Sequence, residues 1–246
     1  MSLAIVYTRA ALGIEAPLIT VEVHLSNGLP GLTMVGLPET TVKEARDRVR
    51  SALINSGYAF PAKKITINLA PADLPKEGGR YDLPIALALL VASEQLNTTR
   101  LNQYEFVGEL ALTGGLRGVP GAIPSAMEAI KAGRRIVVSS DNAAEVGLIG
   151  GSDCLVADHL QEVCAFLAGQ TSLSPPLAEA PARDERYEDL LDVIGQQQGK
   201  RALEIVAAGG HNLLLIGPPG TGKTMLASRL PGLLPPLSNQ AIGRAS

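Results

Sequence analysis

The stretch "IGPPGTGKTMLASRL", from Ile216 to Leu230, carries the clearest fold signal in the chain. Its first part matches the pattern G-x-x-x-x-G-K-[ST] at every fixed position. An apolar run, "NLLLI", precedes the match and a helix-forming run, "KTMLASRL", follows it. The pattern therefore predicts a strand, a phosphate-binding loop and a helix in that order. The predicted loop consists of Gly217, Pro218, Pro219, Gly220, Thr221, Gly222, Lys223 and Thr224.

This loop has the residues that a nucleoside triphosphate requires. Glycines allow successive backbone N–H groups to curl around phosphate oxygens, and the N-terminus of the following helix favours the same anion. Lys223 is then placed to neutralise the β- and γ-phosphates, and the Thr224 hydroxyl to hold Mg²⁺. We expect ATP and Mg²⁺ as cofactors. The alternative, a glycine-rich turn with an exposed lysine, is less consistent with the flanking runs.

Hydrolysis needs more than this loop, because a second acidic residue must help to hold the metal and place the water. Residues 225–246 contain no strand that ends in a carboxylate. We therefore expect the chain to hold a truncated ATPase module with no catalytic residue of its own. We also expect the residues after about Gly169 to be loosely held or rearranged.

The composition permits a large buried core but gives no global sign of a nucleic-acid partner. The 246 residues are 46% hydrophobic and 18% charged, with a formal net charge of −3. Cys154 and Cys164 lack metal-ligand spacing and are expected to be buried, reduced thiols. His24, His159 and His211 are scattered, so no metal site is expected from them. No apolar stretch reaches 18 residues, and we expect a cytoplasmic protein without a membrane partner.

Strands and helices alternate in mixed order up to about residue 169, which predicts an α/β (α+β) fold. Strands are predicted at 3–10, 19–28, 31–37, 63–74, 135–140 and from 154, with a hairpin around Gly114 and Gly115. Helices are predicted at 42–57, 83–96 and 121–133, with a last one ending near 169. Residues 170–186, rich in proline, alanine, serine and charge, read as a linker. A second region, 187–246, begins with a predicted helix at 199–210.

The loop and the preceding "DVIGQQQGKRALEIVAAGGHNLLL" closely resemble the Mg-chelatase-like branch of the AAA+ ATPases. The opening "YTRAALGIEAPLITVEVHLSNGLPGLTMVGLPETTVKEARDRVRSALINSG" resembles the YifB/ComM competence-protein family, and the resemblance covers the whole chain. It implies a Lon-protease-like domain of ribosomal S5 domain 2-like fold at 1–169, followed by the start of an AAA+ module at 187–246. It also implies a homo-hexameric, ATP-driven DNA motor that promotes branch migration during natural transformation.

Lon-type proteases use a serine nucleophile and a lysine base, and neither is found at the corresponding positions. The similar stretch, "PKEGGRYDLPIALALL", contains no serine, and Arg80 or Tyr81 takes the place of the nucleophile. Pro124 stands where the resemblance places the lysine. Three nearby serines have no identifiable lysine partner: Ser125, Ser139 and Ser140. We expect a non-proteolytic domain.

The polar loop before the helix at 83–96 allows two interpretations. The first is a helix entry capped by Asp82 and opened by Pro84. The second is a basic face for DNA phosphates. Its candidate residues are Lys63, Lys64, Lys76 and Arg80.

The arginine-rich part of the helix at 42–57 is also ambiguous. Arg46, Arg48 and Arg50 are interleaved with Glu44 and Asp47. This interleaving favours a solvated helix face over a nucleic-acid stripe.

Three functions remain open at this point. The leading one is the amino-terminal part of a DNA-processing motor that contacts branched or single-stranded DNA. A Mg-chelatase-type ATPase that remodels a protein partner is the enzymatic alternative. A folded interaction module without turnover is the third.

Overall fold

The computed structural model describes residues 2–36, 40–149, 152–176 and 187–234. These described residues divide into two compact units, one up to residue 176 and the other from residue 187 to residue 234. The first unit contains β1 (Ser2–Arg9), β2 (Leu18–Ser26), β3 (Gly31–Val35), α1 (Thr40–Asn55), β4 (Lys64–Ala70), α2 (Asp82–Ala92), β5 (Tyr104–Phe106), β6 (Glu109–Leu110), β7 (Leu116–Arg117), α3 (Ala122–Lys131), β8 (Arg135–Ser139), α4 (Ala143–Gly147), β9 (Cys154–Ala157) and α5 (Leu160–Leu167). The second contains α6 (Gln197–Gly209), α7 (Lys223–Ala227) and α8 (Leu230–Leu233).

Seven strands of the first unit form one sheet in the order β3-β4-β2-β1-β5-β8-β9. The β1–β2 and β2–β4 pairs are antiparallel, whereas the other four pairs are parallel. Strands β6 and β7 form a separate two-stranded hairpin. The predicted α/β fold class is confirmed, as is the hairpin around Gly114 and Gly115.

The two halves of this sheet are buried differently, and the sequence explains why. In β2, Val21 and Val23 are fully buried, whereas Glu22 and His24 between and after them reach the other, more open face. In β8, Ile136, Val137 and Val138 are consecutive and all fully buried. Val137 packs in the main core with α5, and its two neighbours pack with α3 and α4. An alternating strand therefore covers one face and a continuous apolar strand covers two.

Helix α2 is the centre of the main core. All of its residues except Val91 are buried, which confirms the prediction of a helix that is apolar all round. Helix α1 covers the same core with one face, including the predicted Ala45, Val49 and Leu53. The side chain of Val42, and those of the predicted caps Thr40 and Thr41, lie outside the described residues.

The second unit has a much smaller apolar cluster. Its buried members are Val193, Leu203 and Leu226. The predicted helix is confirmed as α6, which ends at Gly210 with a positive φ of 62°. The predicted strand at 212–216 is wrong, since these residues adopt no regular structure. A strand needs the backbone groups of a neighbouring strand, and the described part of this unit contains none to pair with.

The segment predicted as a linker begins in contact with the sheet. The amide of Val156 in β9 donates to the carbonyl oxygen of Ser174 at 3.1 Å. Residues 177–186 of the predicted linker lie outside the described residues. Short helix α4 was not expected from the sequence. No helix in the described ranges is both long and apolar enough to cross a bilayer.

Candidate nucleotide-binding loop

Two glycines shape the loop that joins residue 216 to α7. Gly220 and Gly222 have φ values of 82° and 81°, in the left-handed region that glycine adopts without strain. Among the described residues, no atom lies within 4 Å of the position that a Cβ would take at Gly220, so the loop is open there. Helix α7 begins at Lys223, directly after the second glycine. The loop therefore delivers backbone N–H groups to the start of a helix.

The Lys223 side chain folds back over its own loop. Its ammonium donates to the carbonyl oxygens of Gly217 and Pro218, both at 2.8 Å. The Thr221 hydroxyl donates to the same Pro218 oxygen at 2.9 Å. These bonds hold one positive charge at the loop and leave it exposed to solvent. An anion can reach that charge without any rearrangement of the core.

Residues at the N-terminal end of α6 support the loop, and the sequence interpretation missed them. The Gln196 side-chain amide donates to the Thr221 carbonyl oxygen at 3.1 Å. A Cβ at Gly199 would lie 2.8 Å from a methyl group of Leu226, so this glycine allows α6 to pack closely against α7. The run "QQQGK" was the available signal, because a glycine in the first turn of a helix implies a close neighbour.

The loop fits a nucleotide with its metal. Lys223 supplies the charge, the left-handed glycines supply the open turn, and Thr224 supplies a hydroxyl in the first turn of α7. Within the described ranges, no group of three or more histidine, cysteine, aspartate or glutamate side chains can hold a metal. Magnesium binding through the phosphates and Thr224 stays a prediction. The carboxylate of Glu188, an acidic residue of this unit, forms an ion pair with the Arg229 guanidinium at 2.8 Å.

The protease-like positions of the first unit are filled by a buried arginine and tyrosine. The Arg80 guanidinium donates to the carbonyl oxygens of Arg9, at 3.3 Å, and Pro120. Burial raises the pKa of Tyr81 to about 12, and its hydroxyl has no hydrogen-bond partner in the described part of the chain. The Ser125 hydroxyl is committed to a backbone carbonyl at 2.8 Å. The absence of proteolysis stays a prediction.

Two of the four predicted DNA-contacting residues are not on an exposed face. Lys76 is fully buried and donates to the carbonyl oxygens of Pro71 and Leu74, and burial lowers its pKa. Arg80 is only 3% exposed. The prediction of a basic face is wrong for both, because both side chains are buried and donate to backbone carbonyl oxygens inside the fold. Lys63 and Lys64 are exposed, and DNA contact by them stays a prediction.

Asp82 does not cap α2, contrary to the prediction. It is the first helical residue, and its carboxylate accepts from Arg48 at 2.7 and 3.1 Å and from the Leu110 amide at 3.2 Å. Burial raises the pKa of Asp82 to about 6 although these donors lower it. The pair ties α1 to α2 and β6, and the half-buried Arg48 side chain has a structural role.

A second buried ion cluster was also missed. Glu105 is fully buried in β5 and accepts from Arg9 at 2.5 and 2.7 Å and from Arg134 at 2.9 Å. The Arg134 guanidinium lies over the Tyr7 ring, 4.8 Å from its centroid. The signal was the single charge within the apolar run "YEFV".

The two buried cysteines are confirmed as free thiols. Cys154 and Cys164 are buried without a disulfide. Burial raises the pKa of each to about 11, which keeps both thiols protonated and unreactive.

Comparison with known proteins identifies the family. The profile for subunit ChlI of Mg-chelatase matches residues 21–142, and the profile for magnesium chelatase, subunit ChlI, matches residues 189–245. The uncharacterized protein YifB of Salmonella typhimurium is 77% identical over 240 residues, covering 98% of this chain and 47% of that protein. The competence protein ComM of Haemophilus influenzae is 58% identical over 254 aligned positions, covering 100% of this chain and 50% of that protein.

The chain thus spans about half the length of the curated relatives it matches. Both regions of this chain match Mg-chelatase profiles, and the relatives align along nearly its whole length. The chain belongs to the YifB/ComM family of Mg-chelatase-like AAA+ ATPases.

Proposed function

We propose that the whole protein is an ATP-driven AAA+ motor that processes DNA, with its nucleotide on residues 217–224. The observation that carries the proposal is the Lys223 ammonium, held at an open glycine turn at the start of α7. The relationship to a protein named for competence supports DNA as the substrate. We further propose branch migration of DNA as the activity and a homo-hexamer as the assembly, because the resemblance to the YifB/ComM family implies both.

The loop residues have separate roles in this proposal. The backbone N–H groups around Gly220 and Gly222 donate to phosphate oxygens. Lys223 exchanges its two carbonyl acceptors for phosphate oxygens, with which hydrogen bonds are stronger because both partners are charged. The Thr224 hydroxyl ligates Mg²⁺. Bound ATP supplies the phosphoanhydride whose cleavage drives the motor.

The first unit serves this motor as a non-proteolytic scaffold. The nucleophile position is occupied by Arg80 or Tyr81, which cannot act as the serine does. Neither side chain is exposed enough to meet a peptide substrate. We assign the unit to contacts with DNA or with neighbouring subunits.

Hydrolysis of ATP by the full-length protein tests the proposal. We expect branched DNA to stimulate the rate, and we expect the Lys223→Ala variant to lose both basal and stimulated turnover. Lys131→Ala is the matched control, since that lysine is exposed on α3 of the first unit, and it should retain both.

A Mg-chelatase-type ATPase that remodels a protein is the second candidate, because both matching profiles describe a Mg-chelatase subunit. Robust hydrolysis that is indifferent to every DNA tested would contradict the DNA motor and favour this candidate. Turnover that survives Lys223→Ala would contradict the assignment of the loop itself.

A further inference from the structure

A groove of about 200 Å³ lies beside α1 and the starts of β3 and β4 in the first unit. Its walls include Pro30, Leu32, Arg46, Arg50, Phe60 and Lys63. Three of these side chains are positively charged at neutral pH. We define these three, Arg46, Arg50 and Lys63, as the groove cations.

The helical repeat explains why two of the groove cations meet. Arg46 and Arg50 are four residues apart, so they lie on the same face of α1. Arg48, between them, faces the other way and binds the buried Asp82 carboxylate. Lys63 joins them from the residue before β4, where its carbonyl oxygen accepts from the Gly31 amide at 3.4 Å. The three arginines of α1 therefore have different environments. Arg48 binds a buried carboxylate, whereas Arg46 and Arg50 line the groove.

Phe60 holds one of the groove cations in place. The Arg50 guanidinium carbon lies 5.0 Å from the centroid of the Phe60 ring. The ring is half-buried and packs against the main core, so it forms a fixed support. An arginine stacked in this way keeps its in-plane N–H donors available for an oxygen-rich ligand.

The groove cations have little negative charge to balance them. The described residues that line the groove include no carboxylate. The nearest acidic partner is Asp47, 4.0 Å from Arg46, and both side chains are mostly exposed. A second groove in the same unit is balanced, since Lys131 shares it with Glu15 and Glu128. The imbalance favours an anionic ligand at the first groove only.

The groove is smaller than a pocket that encloses a drug-sized ligand. Such pockets have volumes of roughly 300–1,000 Å³, above the value found here. Proteins that bind single nucleic-acid strands combine cations along a groove with planar groups on which bases stack. Phe60 with Arg50 above it supplies the planar group, and Arg46 and Lys63 supply further charge.

We propose that the groove binds a single DNA strand, with phosphates on Arg46 and Lys63 and a base stacked on the Arg50 guanidinium, which Phe60 supports. The choice of DNA as the polyanion rests on the proposed function, whereas the binding itself needs no nucleotide hydrolysis. The groove is a site distinct from the loop at 217–224, and it gives the first unit a direct task in substrate handling.

The test measures binding of a fluorescein-labelled, mixed-sequence single-stranded oligonucleotide to the 246-residue chain by anisotropy, without ATP, over a series of salt concentrations. The triple variant Arg46→Ala/Arg50→Ala/Lys63→Ala should lose at least about tenfold in affinity at low salt and should lower the log–log salt slope by about 2, at roughly 0.7 per phosphate contact. Arg50→Lys should show a partial loss, because it keeps the charge but not the stacked plane.

Arg100→Ala and Lys131→Ala are the matched controls, since both side chains are exposed outside the groove, and both should bind as the parent does. Thermal melts should show that the triple variant is folded, because all three side chains are exposed. The proposal is overturned by an unchanged affinity and slope, or by failure of the parent chain to bind. It is also overturned if the triple variant loses binding only to polyglutamate, which would assign the groove to an acidic protein.

The same variants separate this inference from the proposed function. If the triple variant of the full-length protein keeps normal DNA affinity and DNA-stimulated ATP hydrolysis, the groove proposal fails and the motor stands. If hydrolysis ignores DNA but the groove variants still lose oligonucleotide binding, the motor fails and the groove stands.

Discussion

The two units differ in what their apolar residues accomplish. In the first, α2 and the strands beside it are buried almost completely. In the second, Leu214 and Ile216, which precede the nucleotide loop, are 80% and 86% exposed. Both segments have the apolar composition of core elements. Apolar composition therefore gives a segment the capacity for burial, whereas neighbouring elements decide whether burial occurs.

Charges follow the same division. Glu105 in the first unit is fully buried between two arginines, whereas Glu188 in the second is 60% exposed beside Arg229. Removing one partner of a buried ion pair lowers the free energy of unfolding far more than removing one partner of an exposed pair. Paired substitutions can therefore measure the contrast.

The largest effect is expected from the buried carboxylate. Glu105→Gln leaves Arg9 and Arg134 without their counter-charge and should lower the free energy of unfolding by about 3–5 kcal/mol. The matched Glu188→Gln should cost less than about 1 kcal/mol. Urea unfolding followed by circular dichroism measures both. Equal effects of the two substitutions would show that the contrast in burial has no energetic counterpart.

Two leucines provide the next comparison. Leu87 is fully buried in α2, so Leu87→Ala should cost about 2–5 kcal/mol through lost contacts and a cavity. Leu214→Ala, at an exposed position, should stay within about 0.5 kcal/mol. The same unfolding curves give the answer. A cost above 2 kcal/mol at Leu214 would mean that the segment before the loop is packed after all.

Asp82 predicts a pH effect confined to the first unit. Burial raises its pKa to about 6, above the value of about 3.9 in an unfolded chain, so the folded state holds the proton more tightly. This stabilisation is complete below about pH 4 and is lost as pH rises through about 6. Relative to Asp82→Asn, the parent chain should gain up to about 3 kcal/mol on going from pH 7 to pH 4.

The charged groups that face Asp82 are Arg48 of α1 and Glu109 of β6. Urea unfolding of parent and variant at matched pH values gives the difference directly. A difference that shrinks as the pH falls would mean that the Arg48 ion pair outweighs burial and that the pKa is lowered instead.

The smallest effect is expected at the nucleotide loop. Lys223 is exposed, and its bonds go only to the loop itself, so Lys223→Ala should change unfolding by no more than about 0.5 kcal/mol. Calorimetric unfolding without nucleotide measures it. A larger loss would weaken the use of this variant as a purely chemical control.

Local signals predicted much of the fold of the first unit. Alternation identified β2, the apolar run "LPIALALL" identified α2, and Gly57, with its positive φ of 83°, ends α1 as expected. The prediction of a strand at 212–216 failed because a strand depends on pairing with other parts of the chain. Its pattern is local, but its pairing partners are not, and sequence alone does not report whether they are near.

The sites show the same limit. The glycine and lysine spacing predicted the turn at Gly220 and Gly222 and the start of α7 without any tertiary information, whereas nucleotide binding there stays a prediction. The hydrogen-bond partners of Lys76, Arg80 and Asp82 are carbonyl oxygens, an amide and an arginine that the fold brings to them from other parts of the chain. Arg46 and Arg50 differ from Arg48 only through the direction that each side chain takes from α1. Such contacts join residues far apart in sequence, and no spacing pattern predicts them.

Native-state hydrogen exchange of the 246-residue chain tests the central contrast most directly. Amides of β1, β2, β4 and α2 should exchange only through global unfolding, while amides of residues 212–216 should exchange almost as fast as those of an unfolded peptide. Strong protection at 212–216, comparable to that of β2, would contradict it, because those amides would then be hydrogen-bonded in a stable sheet.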